Sequence, residues 1–441
     1  MIRRVGILIA LIAVLVLVFW LVVMRHTERI KHVYHQRGII TIVAGNGHRG
    51  FSGDGGAATK ASLHSPEGIA LGKDGSLYIA DRGNQRIRRV SPNGIITTIA
   101  GDGRRVKKHG YWQGRFAGDG GPAINASLNR PQGVAVSPDG SIYIADTWNI
   151  RIRKINPKGI IRTVVNVNGG LDAIHEDFDL EDLYPNFNLT GKPWHFKDNH
   201  HPATKACLGN PAAVALDQEG NLFIADDQNL RVCKVDRAGV FTCVPTGGVI
   251  GPGGAIIMKI RAGDHGPARR AHFGDVSDIA IAPDGSLYVC ELYTQVIRKI
   301  NPQGIITTYA GNGIMKSYTT KPKGKRDGFV EHLEGWYNGD DILATRASLD
   351  WPWGIALAPD GSLYIADMQN HRVRRVDRKG IITTVVGNGR MGRPRNGQVS
   401  TKACLTHPAR LAVDQNGDLF ISDVGRSQVY KVTWLRSPRR R

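Results

Sequence analysis

The chain has 441 residues, 54 of them glycine and five cysteine, with 41% hydrophobic residues. That glycine content disfavours helical bundles, and the few, scattered cysteines exclude both a small disulfide scaffold and a cysteine zinc site, leaving an all-β domain with many turns as the expectation. A formal net charge of +20 and a pI near 9.9 attract nucleic acid, anionic lipid or another acidic polymer at long range, which bears on encounter and not on fold.

In chain order, residues 5–24 form an unbroken apolar run. At the rise of an α-helix, twenty residues reach about 30 Å, the thickness of a bilayer's hydrocarbon core. A signal peptide is the competing reading, but the end of the run, Leu21-Val22-Val23-Met24-Arg25-His26, has no small-x-small cleavage pattern. The run therefore predicts an uncleaved single-pass anchor over 1–24, followed by a short linker over 25–37. Arg3 and Arg4 precede it and Arg25, Arg29 and Lys31 follow, with only Glu28 opposing, so charge does not fix the orientation. A short leading segment with an extracytoplasmic domain is the expected arrangement.

Residues 38–43, Gly-Ile-Ile-Thr-Ile-Val, read as a strand. After them one pattern recurs six times. In its first copy an apolar strand (Gly68-Ile69-Ala70-Leu71) meets an Asp74-Gly75 turn and the strand Leu77-Tyr78-Ile79-Ala80-Asp81. A polar loop, an Arg-rich strand (Arg86 to Val90), a Pro-Asn-Gly turn and Gly94-Ile95-Ile96-Thr97-Thr98-Ile99 complete it. Asp-Gly between alternating apolar runs is a hairpin signal, and four antiparallel strands per copy make a propeller blade. The second strand returns at Ile142 to Asp146, Leu222 to Asp226, Leu287 to Glu291, Leu363 to Asp367 and Leu419 to Asp423. The last copy, residues 411–432, lacks a fourth strand, whereas residues 38–43 are a fourth strand without a blade. Joining the two closes the ring and hides both sheet edges. The fold class is therefore all-β, a six-bladed β-propeller over 38–434 closed by its two ends, with a basic tail over 435–441.

The repeated Pro-x-Gly-Ile-Ala, Asp-Gly-x-Leu-Tyr-Ile-Ala-Asp, Asn-x-Arg-Ile-Arg-Arg-Val and Gly-Ile-Ile-Thr-Thr-Ile-Ala-Gly segments resemble NHL repeats. The insert Phe51-Ser52-Gly53-Asp54-Gly55-Gly56, echoed at 116–121, is similar to that of large bacterial NHL propellers and of the teneurin propeller. Blade four departs from the pattern at Cys290-Glu291 and Tyr293-Thr294-Gln295, and blade six at Arg426-Ser427-Gln428.

In a four-stranded meander the loop after strand two and the link between blades emerge on one face, and the two hairpin turns on the other. The turns are short and uniform while the links are long and varied, so the linker face is the predicted binding surface. Arg104, Arg105, Lys107 and Lys108 with Tyr111 and Trp112 form a basic, aromatic insert before blade two, and Lys325 and Arg326 with Trp336 and Tyr337 form another before blade five. Cations interleaved with rings suit anionic glycans, acidic proteins or other polyanions; solvated loops whose rings pack down on the propeller are the alternative. Each Asp81…Asn84-x-Arg86 element is expected to pair its Asp with its Arg structurally. The linker before blade three carries His195, His200 and His201 without a fixed ligand spacing, so no metal and no cofactor is predicted.

The resemblance admits propeller enzymes, lactonases and a lyase, whose ligands lie at the inner-strand ends lining the channel. Here those positions hold Glu67, Gln132, Asp278, Trp353 and Arg410 among neutral residues, too few carboxylates and no histidine for such a cage. The expectation is a non-catalytic binder. A metal-dependent hydrolase or lyase, or an RNA-binding propeller were the domain cytosolic, are the alternatives, with export opposing nucleic acid as a partner. Cys233 and Cys243 fall opposite each other on adjacent strands, leaving open a disulfide or two buried thiols. Cys207, Cys290 and Cys404 are expected to be small buried fillers.

Overall fold

A computed structural model describes residues 38–108, 111–166, 200–244, 263–314, 316–320 and 330–435. The alternating, β-branched segments form strands that hydrogen-bond in sequence order as antiparallel meanders. Blade one runs outward from the axis through Pro66–Leu71, Leu77–Asp81, Arg86–Val90 and Ile96–Ala100. Its first hairpin closes at the Leu71↔Leu77 pair because Asp74 accepts from the Ser76 N–H (3.0 Å) and hydroxyl (2.8 Å), while Gly75 supplies the left-handed φ of 79°. Blades two to five repeat this order, with inner strands at Gly133–Val136, Pro211–Leu216, Val276–Ile281 and Pro352–Leu357.

Blade six contributes Pro408–Val413, Leu419–Asp423 and Gln428–Trp434. Its outer strand is Gly38–Ala44, paired antiparallel with Gly38 opposite Trp434, Ile40 opposite Val432 and Ile42 opposite Tyr430. The ring is thus closed by strands from both ends of the domain, as the unmatched segment at 38–43 required, and the blades number six. The proposed anchor, residues 5–24, lies outside the described residues. No helix among the described residues is long and apolar enough to cross a membrane.

The core is six clusters, each at a joint between neighbouring blades. Blades six and one, for example, share Ala44, Leu63, Ile69, Ile79, Phe420 and Val429, and blades one and two share Tyr78, Ile87, Leu128, Val134 and Ile144. The links are part of this packing. Ala58 accepts from the Gly45 N–H at the end of one outer strand (2.9 Å) and donates to the Gly94 carbonyl at the start of the next (2.8 Å), and Ala123 does the same with Gly101 and Gly159 (3.1 and 2.8 Å). Near the axis the inner strands almost touch: Gly68 donates to the Gln132 carbonyl at 2.8 Å. A Cβ on Gly68 would stand 2.2 Å from that oxygen, and one on Gly354 2.2 Å from the Ala409 carbonyl.

The repeated Asp pairs differently from expectation. In blade one, Asp81 contacts Arg88 (3.4 Å), Asn84 (2.8 Å) and the His64 N–H (2.7 Å), whereas Arg86 donates to the carbonyls of Asn84 and Asp102. The fully buried cation is Arg88, one step further inward on the same strand face, and Asp54 of the Gly-Asp-Gly insert completes its pairing at 2.8 Å. Arg153 with Asp119 (2.6 Å), Arg298 with Asp264 (2.7 Å) and Arg374 with Asp340 (3.0 Å) repeat the arrangement. Blade four keeps it through Glu291, which reaches Arg298 at 3.4 Å. In blade three the expected partner is present, Arg231 with Asp226 at 2.8 Å. There the buried-arginine position is Cys233, bonded as a disulfide to Cys243 opposite it, and in blade six it is Tyr430. Of the presumed fillers Cys290 is buried and Cys404 half-buried, but Cys207 is exposed.

Candidate binding face at the channel mouth

The five channel-mouth residues read from the sequence are brought together, and Arg410 organises them. Its guanidinium crosses the axis: Nη1 lies 2.9 Å from Asp278 of blade four and donates to the Ser277 carbonyl at 2.6 Å, and Nη2 donates to the Ala212 carbonyl of blade three at 3.1 Å. Trp353 of blade five donates its indole N–H to Glu67 of blade one at 3.0 Å, and that carboxylate is 3.9 Å from Arg410. Asp278 also accepts from the Ile355 N–H at 2.9 Å. Burial raises its carboxyl above the usual range, with Arg410 opposing that shift. Gln132 takes part through its main chain, in the contact with Gly68. The inner mouth is therefore filled by one guanidinium tying five blades together, and its carboxylates are already engaged.

The loop residues divide. Arg104 is exposed and 3.7 Å from Asp102, and Lys107 is exposed. The chain there forms a short hairpin, Val106–Lys108 against Tyr111–Gln113, with Lys107 opposite Trp112 and Lys108 opposite Tyr111. The insert before blade five forms a second hairpin, Lys316–Thr320 against Val330–Glu334; Lys325 and Arg326 fall between its strands, outside the described residues. Tyr337 is not an open contact. Arg372 and Arg374 stand over its ring at 4.1 and 4.9 Å, and its hydroxyl donates to Asp340 at 2.8 Å. Phe51 and Phe116 cover the equivalent arginine pairs of blades one and two, Arg86 and Arg151 at 3.8 Å each. These rings shield buried cations. Trp336 beside Tyr337 is half-buried.

Sequence reasoning missed a cluster at the rim of blades one and two. Arg82 follows the second strand of blade one and sits 3.4 Å from Glu67. Arg105 donates to the Gly83 carbonyl. Arg130, just before the inner strand of blade two, donates its backbone N–H to Gln85 Oε1 and lies 3.7 Å from the centre of the Trp148 ring. His64 is held alongside, its carbonyl accepting from the Gly83 N–H at 2.8 Å. Burial and the charges of Arg82 and Arg105 push Arg130 down to about 10. Burial, with Arg105, Arg49, Arg130 and Arg82 around it, keeps the His64 imidazole below its ordinary value. A signal existed: at the position of Arg82 the sister blades carry Thr147, Asp227, Leu292, Met368 and Val424, and at that of Arg130 they carry Ser65, Asn210, Asp275, Trp351 and His407. At those positions blades three and four carry the carboxyls Asp227 and Asp275. Burial, followed by mutual repulsion among Asp226, Asp227, Asp275 and Glu291, holds the Asp227 and Asp275 carboxyls well above the usual range.

On the opposite, hairpin-turn face, a groove between blades five and six is lined by Asp360, Tyr364, Asp418 and Trp434. Its polar groups are paired: Asp360 with Arg375 and Asp418 with Lys431 at 2.8 and 2.9 Å, and the Trp434 N–H with the Gly417 carbonyl at 2.8 Å. His201 stacks on Phe241 with centroids 5.5 Å apart, while His195 lies outside the described residues. Among the described residues no group of three or more His, Cys, Asp or Glu side chains is placed to hold a metal ion.

Comparison with known proteins agrees with this architecture. A family model of the teneurin NHL domain matches residues 24–111, 112–175 and 334–398. Human teneurin-1 is 24% identical over 402 residues, covering 78% of this chain and 13% of its own length. Two crystal structures from Bacteroides thetaiotaomicron share the fold. A protein of unknown function has a TM-score of 0.57 at 15% identity, covering 90% of this chain and 76% of its own. An auxiliary nutrient binding protein has a TM-score of 0.54 at 14% identity, covering 91% and 78%. The chain spans 10 to 14% of the length of the teneurins it matches. Repeat, ring closure and family match together identify the chain as an NHL-repeat six-bladed β-propeller protein, similar to the NHL propeller of teneurins.

Proposed function

We propose that this protein is a membrane-tethered, non-catalytic propeller that holds an anionic glycan on its linker face, with the propeller on the extracytoplasmic side. The observation that carries the reading is the division of charge at the mouth. Arg410 fills the inner end of the channel and pairs with Asp278 there, while Arg82, Arg105 and Arg130 and the hairpin bearing Lys107 and Lys108 gather on the linker side of blades one and two. A face built this way attracts acidic polymers, and a filled channel favours surface binding over chemistry within it. Two half-buried tryptophans near the mouth, Trp351 and Trp353, add large rings with one polar edge, suited to a sugar's mixed surface. The apolar run at 5–24 supports the tether, and tethering on the outer side favours a glycan over nucleic acid.

Titration of the full chain with a sulfated polysaccharide tests this. Binding should weaken steeply with salt, as exposed charge pairs do. Replacing Arg104, Lys107 and Lys108 together by Ala should lower affinity at low salt roughly tenfold, at the modest contribution expected of each exposed pair, and should flatten the salt dependence. Salt-independent binding, or none, would remove the reading.

A further inference from the structure

Resting on that reading, we propose that Arg82, Arg105 and Arg130, gathered about the Arg82–Asn84 turn, form an oxyanion pocket that takes one acidic substituent of the bound glycan, a uronate carboxylate or a sulfate ester. Three independent contacts assemble it on one short turn. Arg82 belongs to that turn, Arg105 is anchored to the Gly83 carbonyl, and the Arg130 backbone is fixed by Gln85 just after it. Trp148 then holds the Arg130 guanidinium against its ring, 3.7 Å from the centre. A guanidinium on a ring face directs its N–H groups outward in its own plane, the fork that matches a carboxylate or sulfate. Its position is set before the ligand arrives, so little ordering is lost on binding.

The balance of charge calls for an anion. Among the described residues the one carboxylate in an ion pair with any of the three arginines is Glu67, shared between Arg82 at 3.4 Å, Arg410 at 3.9 Å and the Trp353 N–H at 3.0 Å. Two cations already draw on it, and Arg105 and Arg130 add to the excess. Asp227 and Asp275 across the mouth supply no cation, so the substituent is placed at blades one and two. The remainder of the glycan then lies over the exposed Arg104 and Lys107 hairpin.

Calorimetric titration of the full chain with trigalacturonate, its neutral methyl ester and a sulfated trisaccharide tests the pocket. At least one charged oligosaccharide should bind about tenfold or more tighter than the ester, as charge-assisted hydrogen bonds require. Arg105→Gln and Arg130→Gln should each remove most of that preference, lowering affinity for the charged ligand far more than for the ester. Which of the two charged ligands shows the arginine-dependent preference assigns the pocket to carboxylate or to sulfate. A second readout uses the unmutated chain: the anion should offset the arginines around His64, and its imidazole pKa, followed by NMR, should rise on binding. Equal affinity of both charged oligosaccharides and the ester, or an unmoved His64, would overturn the pocket. Charged-ligand binding that survives Arg130→Gln but falls with the Arg104, Lys107 and Lys108 replacement would overturn the pocket and leave the binding face standing; survival of both changes would remove both.

Discussion

Arg410 gathers polar contacts from several blades at the inner mouth. It pairs a buried carboxylate, Asp278, and binds carbonyls from three other blades. Removing one partner of a buried pair leaves the other charge stranded, so Arg410→Leu should cost about 3–5 kcal/mol, measurable as a lowered urea midpoint. A second residue-scale prediction concerns pH. Asp227 and Asp275 have carboxyls raised above the unfolded value, by burial first and then by Asp226 and Glu291, with Arg410 and Asn210 opposing at Asp227. The folded state holds those protons longer than the unfolded chain. Their contribution is therefore complete below the unfolded value near 4 and is lost as pH rises through the folded values. Unfolding by urea should come at lower denaturant at pH 9 than at pH 5, and Asp275→Asn should flatten that slope. The hairpin carboxylates Asp74, Asp139 and Asp284, lowered by neighbouring serine donors, act in the opposite sense and only in more acidic solution.

At the scale of the element, the links and third strands explain where sequence reading succeeded and where it stopped. Strand positions were readable because alternation and Asp-Gly turns are local signals. The partner of each repeated Asp was not, since Arg86 and Arg88 point to the same side of one strand and only packing decides which is buried. The insert aromatics misled for a related reason. Phe116 and Tyr337 look like exposed contacts beside basic residues, yet the basic residues they serve belong to their own blades. Asp54, Asp119, Asp264 and Asp340 occur where the buried arginine does, and blades three and six, with Cys233 and Tyr430 in its place, lack that aspartate. Asp119→Ala should therefore destabilise by about 1–3 kcal/mol by removing one of the two carboxylates that face buried Arg153, read from thermal unfolding. The Cys233–Cys243 bridge closes a loop of sequence separation 10, and replacing both cysteines by Ala should cost about 2–3 kcal/mol on the chain-entropy account, a difference that a reductant should abolish.

For the whole molecule, ring closure was readable from arithmetic alone, because a fourth strand without a blade and a blade without a fourth strand leave a single consistent joining. Ile40 is buried at that seam, 1% exposed, so Ile40→Ala should cost about 2–5 kcal/mol and open the seam between Gly38–Ala44 and Gln428–Trp434 first, seen as early hydrogen exchange there. The arginine pocket was hidden because its members lie far apart in the chain and meet only where blades one and two converge on the axis. Hydrogen exchange of the full chain with and without a bound acidic polysaccharide tests the assignment of the binding face most directly. Protection should appear at residues 82–85, 104–108 and 130, with none at the hairpin turns around Asp74, Asp139 and Asp360; protection confined to those turns would contradict the account.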